Sequence, residues 1–174
     1  QGCHAGRGVT DDATVNVAHL TSHHVVKDWL KSLKWDTHKR LDDLLIDHAG
    51  VAATPLNRAF TSKWMIQAVA RIMEPGCQAD ATLILEGSQG AGKSTLLRTL
   101  FGNEWFTDHL PNLDNKDTQI QLLGIWCIEI AELAALSGKE SAKQTQFLTT
   151  RDDRYRLPFE KVAKNHPRSS VFAG

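Results

Sequence analysis

A short apolar run, a glycine-rich loop, an amphipathic helix and a second apolar run follow one another between residues 81 and 130. That order predicts an α/β domain with a largely parallel sheet. Ala81-Thr-Leu-Ile-Leu-Glu86 is a β-type run with the loop directly behind it. Ser94-Thr-Leu-Leu-Arg-Thr-Leu100 has helical spacing and ends near Gly102. Gly124 then precedes Ile125-Trp-Cys-Ile-Glu-Ile130, which reads as a second buried strand.

Residues 1–22 are polar and glycine-containing and read as a flexible arm. Residues 23–78 read as a helical region and residues 79–174 as the α/β core. Val25, Val26, Trp29, Leu30 and Leu33 mark a first helix, and Leu41, Leu44 and Leu45 a second. A third covers about Leu56–Met73, with Ala59, Trp64, Ile66, Val69, Ala70 and Met73 facing inward, and Pro75-Gly76 stops it. Trp29, Trp35 and Trp64 read as core aromatics of this region. Further helices are expected at about 115–123 and 138–149, and Val171-Phe-Ala-Gly174 reads as a core strand. The start at Gln1 and the end on that strand read as the ends of a fragment.

Composition narrows the function classes. Lys+Arg and Asp+Glu are 20 each, so any nucleic-acid contact must come from a local basic patch and not from a global field. Three cysteines at wide spacings suggest no disulfide framework, which fits a reducing cytoplasm, and Cys127 reads as a small core residue. No apolar run is long enough to span a bilayer, and the N-terminus lacks a signal-peptide layout.

Gly87-Ser-Gln-Gly-Ala-Gly-Lys-Ser-Thr95 has the spacing of a phosphate-binding P-loop. Phosphate oxygens need several backbone N–H donors converging on one point. Glycine permits the backbone angles that aim them, and the following helix adds its free N–H groups and positive dipole end. The predicted nucleotide contacts are therefore Gly87, Ser88, Gln89, Gly90, Ala91, Gly92, Lys93, Ser94 and Thr95. Lys93 supplies a cation to the phosphates, and the Ser94 hydroxyl is suited to Mg²⁺. A chance glycine-rich turn is the alternative; the strand before it and the helix behind it argue against that.

Such a site also needs an acid at the end of a neighbouring buried strand. Glu129 is the candidate on the metal side and Glu132 the candidate base that orients water, with the division of roles open. A strand-end surface charge and a first-turn helix carboxylate are the plain alternatives. Downstream, Tyr155, Leu157 and Phe159 alternate with Arg154, Arg156 and Glu160, and Lys161 and Lys164 follow. This predicts a hairpin with cations near its tip, able to meet a nucleic-acid backbone or simply solvated. His19, His23 and His24 with Cys3 match no usual zinc spacing.

Several separated strings resemble the virulence-associated protein E family: Leu85–Thr95, Trp105-Phe-Thr-Asp108, Gly124–Leu133 and Asp153-Arg-Tyr-Arg-Leu-Pro-Phe159. Upstream, Trp35-Asp36 with Arg40-Leu41, and Ala70–Gly76, are similar to its helical lead-in. The resemblance covers about residues 23–174 and implies a bacterial, prophage-type protein similar to superfamily 3 helicases. These are ring-forming AAA+-type ATPases that use ATP and Mg²⁺ to move on DNA. It places Glu129 and Glu132 in the Walker B segment and makes Lys161 and Lys164 contacts to single-stranded DNA. It also puts the sensor residue and the arginine finger beyond Gly174, so the core reads as C-terminally truncated. Arg151, Arg154 and Arg156 could serve across a subunit interface.

The leading expectation is an ATP-driven DNA helicase-like motor. A P-loop small-molecule kinase is one alternative, although no lid or acceptor pocket is evident. A non-hydrolysing, nucleotide-dependent interaction module is the other.

Overall fold

The computed structural model describes residues 24–109, 118–130, 145–157 and 162–174. The chain divides into two compact units, residues 1–35 and residues 36–174.

In the first unit, α1 spans Val25–Ser32. His24 caps it, its ring Nδ1 accepting from the Lys27 N–H at 3.4 Å. Val26 is the buried residue of this helix. The expectation of core tryptophans fails here, since Trp29 is 41% and Trp35 73% exposed. A helix of only eight residues has one narrow face to bury, and Val26 occupies it.

The second unit begins with a tight turn. Thr37 has a positive φ of 72°, a costly conformation for a β-branched residue. Asp36 holds the turn, accepting from the His38 N–H at 3.1 Å and from both Arg40 terminal nitrogens at 2.8 and 2.7 Å. The Arg40 guanidinium, helped by the His38 N–H, draws the Asp36 carboxyl down to about 2.

Two helices follow, α2 (Leu44–Ala49) and α3 (Pro55–Met73). Gly50, in the left-handed region at φ 66°, ends α2. Thr54 and Pro55 begin α3, the Thr54 hydroxyl accepting from the Asn57 N–H at 3.2 Å and proline taking the first position, where no N–H is needed. The remaining elements are α4 (Lys93–Phe101), β1 (Phe106–Thr107), α5 (Thr118–Gln121), β2 (Cys127–Glu129), β3 (Asp152–Tyr155), β4 (Lys164–Pro167) and β5 (Val171–Ala173). Residues 145–149 form a further helical turn.

The fold is mixed α/β with a small parallel sheet in the order β1-β2-β5. The predicted first strand is present only as a single bridge, Leu83 to Ala173, but the segment runs parallel beside β5. Leu83 N–H donates to Phe172 O at 3.3 Å, Gly174 N–H to Leu83 O at 2.8 Å and Leu85 N–H to Gly174 O at 2.6 Å. Glu129 pairs with Ala173, and Ala173 with Leu83, so one row of residues crosses the sheet just before the strands end. The residues of β3 and β4 pair antiparallel as the predicted hairpin.

Buried aromatics join the helices to the sheet. Phe101 meets Trp64 edge-on at 5.5 Å and Trp126 at 4.8 Å between ring centroids. Each indole N–H finds a backbone acceptor, Trp64 on Phe172 O at 3.0 Å and Trp126 on Ala68 O at 2.8 Å. Ile128, Ile130 and Phe172 form a second cluster with Leu122, Ile125, Phe147 and Leu148. Cys127 is fully buried as expected, and burial raises its thiol pKa far above the ordinary range.

The inward face of α3 differs from the expectation. Ile66 is 58% and Met73 39% exposed, whereas Thr61, Trp64, Ala68, Arg71 and Ile72 are buried. Apolar residues lie all round this helix, so spacing alone selects no face. The two tryptophan hydrogen bonds and Arg71 select it.

The Phe101 contacts give a stability prediction. Phe101→Ala removes both edge-on contacts from a site that is 2% exposed. The expected loss is about 3–5 kcal/mol in urea unfolding. A loss under about 1 kcal/mol would mean this aromatic junction does not hold the helices to the sheet.

Candidate functional site

Loop 87–92 leaves the sheet beside β5 and enters α4. Gly90 and Gly92 have φ of 81° and 82°, and Gly92 is the residue that caps α4. A Cβ at either position would meet no atom within 4 Å, so conformation and not space demands glycine there. Gly87 differs: its φ is not in the positive range, and its nearest neighbours, Ala91 Cβ and Lys93 Nζ, lie 4.0 Å away. Glycine in the left-handed region lets the chain reverse tightly, turning into the helix with the loop exposed from Glu86 to Gly92.

Lys93 is the first residue of α4. Its ammonium arches back over the loop and donates to Gly87 O at 2.8 Å and Ser88 O at 3.0 Å. The next residue, Ser94, donates its hydroxyl to Glu129 Oε1 at 2.6 Å. Glu129 stands at the end of β2, and its Oε2 is buried with no hydrogen-bond partner among the described residues. An ionised carboxylate oxygen in that position favours a cation or a donor beside it. Among the described residues no three His, Cys, Asp or Glu side chains converge as a metal cage.

Of the sequence candidates, residues 87–95, Lys93, Ser94 and Glu129 therefore come together at the carboxyl ends of parallel strands. In open α/β sheets ligands bind at this edge. Thr95 lies in the first turn of α4, its carbonyl accepting from the Thr99 hydroxyl at 2.8 Å. Glu132 and Lys161 lie outside the described residues. Lys164 is at the start of β4, exposed and paired across the hairpin with Tyr155.

The hairpin carries a buried anchor and exposed cations. Tyr155 is buried and stacks on His166, centroids 3.9 Å apart. The buried Arg168 pairs with Asp153 at 2.5 Å and lies over the Phe147 and Phe172 rings. Arg154, Arg156 and Lys164 are exposed. Arg151 is engaged within the chain, donating from Nε to Gly76 O at 2.7 Å.

One part of the site had no signal in the sequence. A cleft of about 580 Å³ opens from the loop toward α2 and α3. His48, Val51, Asn57, Phe60 and Ile84 line it together with loop residues and Leu96. These side chains come from separate segments with no shared motif, so only the packing of α2 and α3 reveals them.

The loop geometry separates two glycines. Gly92→Ala should destabilise the chain by about 1–2 kcal/mol through its left-handed backbone, while Gly87→Ala should stay within about 0.5 kcal/mol. Urea unfolding of both variants is the check; equal losses would contradict the assignment.

A comparison with curated proteins finds no match. Among the described residues no helix is long and apolar enough to cross a membrane. A family model described as the virulence-associated protein E-like domain matches residues 30–174. The match spans the helical lead-in, the glycine loop, the Glu129 strand and the hairpin, and the chain belongs to the virulence-associated protein E-like domain family.

Proposed function

We propose that this chain is the P-loop NTPase core of an ATP-hydrolysing, DNA helicase-like motor of a phage or mobile-element replication protein. One observation carries the reading: the Ser94 hydroxyl meets Glu129 at 2.6 Å beside a glycine loop that Lys93 already spans. Loop, cation, hydroxyl and strand-end acid are the parts that a phosphate-bound metal requires. Membership of the virulence-associated protein E-like family supports a phage-type context.

In this reading the backbone N–H groups of residues 87–95 hold the phosphates, and Lys93 exchanges its contacts with Gly87 O and Ser88 O for phosphate oxygens. Ser94 and Glu129 would hold Mg²⁺. The fit rests on the buried Glu129 Oε2, which has no hydrogen-bond partner among the described residues. Bound there, Mg²⁺ would neutralise charge on the phosphates. Glu132 would accept a proton from the attacking water. The hairpin, with Lys161 and Lys164 as its DNA contacts, would engage single-stranded DNA within a homo-oligomeric ring.

Lys93→Ala should weaken ATP binding at least about tenfold, the scale of a lost charge-assisted hydrogen bond. Glu132→Gln should keep ATP binding and lose turnover, measured by phosphate release with and without single-stranded DNA. Normal hydrolysis by Glu132→Gln would reassign the base. Tight ATP binding with no turnover under either condition would favour a nucleotide-gated interaction module, and phosphorylation of a metabolite a small-molecule kinase.

A further inference from the structure

Helix α4 meets the edge of the sheet at two places, one turn apart. Ser94, its second residue, donates to Glu129 on β2 at 2.6 Å. Arg98, four residues on and so on the same face, donates from a terminal nitrogen to Asp108 Oδ2, also at 2.6 Å. Asp108 directly follows β1. Thr107 pairs with Ile128 in the parallel register, so Asp108 and Glu129 each stand one residue beyond that pair, on neighbouring strands.

The chain returns on itself to bring Arg98 and Asp108 together. Gly102 ends α4, its N–H donating to Arg98 O at 2.9 Å, and the Trp105 N–H donates to Gly102 O at 3.2 Å. Phe106, 5% exposed, then lies under the guanidinium, which sits 4.9 Å from the ring centroid. Arg98 is thus held at two points by one short segment. The Arg98 side chain is 40% and the Asp108 side chain 55% exposed, and an ion pair so open to water adds little to stability. What the pair supplies is direction: it fixes where α4 sits on the sheet edge.

A metal ion would affect the two contacts differently. An ion between Ser94 and Glu129 takes the place of their hydrogen bond, so that bond cannot hold the first turn of α4 while the ion is there. The Arg98–Asp108 pair uses neither ligand and stays intact. Mg²⁺ demands near-ideal geometry, and a ligand displaced by about 0.5 Å is enough to spoil such a site.

We infer that Arg98 is a positioning residue of the metal site: through Asp108 it keeps the Ser94 hydroxyl opposite Glu129 once their direct bond is gone. The inference rests on the reading of Ser94 and Glu129 as the Mg²⁺ pair.

The test is equilibrium binding of ATP in excess Mg²⁺ and in EDTA, with urea unfolding of each variant beside it. The readout is the factor by which Mg²⁺ tightens ATP binding. Arg98→Met should shrink that factor at least about tenfold, the scale on which groups behind metal ligands act. Its affinity in EDTA should stay within about twofold and its unfolding midpoint should hardly move, as for an exposed pair. Asp108→Asn should do the same, and it carries the test if Arg98→Met fails to fold. The double variant should lose no more than either single one, because the two side chains act as one unit. An unchanged Mg²⁺ factor in both single variants, or equal losses with Mg²⁺ and in EDTA, overturns the inference and leaves the Mg²⁺ pair standing. Losses that multiply in the double variant overturn it as well. If Mg²⁺ does not tighten ATP binding to the unaltered chain, the Ser94–Glu129 assignment falls and this inference with it.

Discussion

Ser94 Oγ donates to Glu129 Oε1 at 2.6 Å, a contact between residues 35 positions apart. It exists because β2 stands between β1 and β5 and because α4 packs against β1 and β2. A middle strand of a parallel sheet must be covered on both faces, and Cys127 and Ile128 are indeed fully buried. Their burial fixes the register, and the register delivers Glu129 to the edge from which the glycine loop departs. The acid is thus held by the core, while the hydroxyl is held by the first turn of α4.

Helix α3 ties this edge to the rest of the second unit. Near its start, Asn57 and Phe60 line the cleft. In its middle, Trp64 donates to Phe172 O, and Ala68 O accepts from Trp126. At its far end, Arg71 is 1% exposed and donates to Arg168 O at 3.3 Å, while its Nε has no partner among the described residues. Burial lowers the Arg71 pKa, the signature of a guanidinium short of compensation. The Gly76 N–H donates to the same Arg168 carbonyl at 2.9 Å, and Gly76 O accepts from Arg151. A Cβ at Gly76 would lie 3.3 Å from Pro167 Cβ, and its φ of 80° also favours glycine. One rigid helix therefore connects the cleft to the base of the hairpin, giving the two places a shared mechanical support.

Much of this was legible locally. The glycine spacing of the loop, the Thr54-Pro55 start of α3, the apolar stretch containing Cys127 and the alternation through Tyr155 each encode their conformation within a few residues. What escaped depends on pairing across the chain. The run at 81–86 has strand composition, yet only Leu83 forms a bridge, and that bridge depends on Ala173, about ninety positions away. Trp29 and Trp35 looked like core residues because aromatic composition carries no information about which side chains end up buried. No local pattern announces that Arg71 is buried and that the distant Arg168 carbonyl receives it. The cleft wall was invisible for the same reason: its residues share a place and no motif.

A crystal structure with Mg²⁺ and a non-hydrolysable ATP analogue tests the central claim most directly. The account predicts the triphosphate in loop 87–94, Lys93 Nζ moved from Gly87 O and Ser88 O onto phosphate oxygens, and the ion between Ser94 and Glu129 in place of their direct hydrogen bond. A nucleotide bound elsewhere, with the Ser94–Glu129 contact intact and Lys93 still on the loop carbonyls, would contradict it.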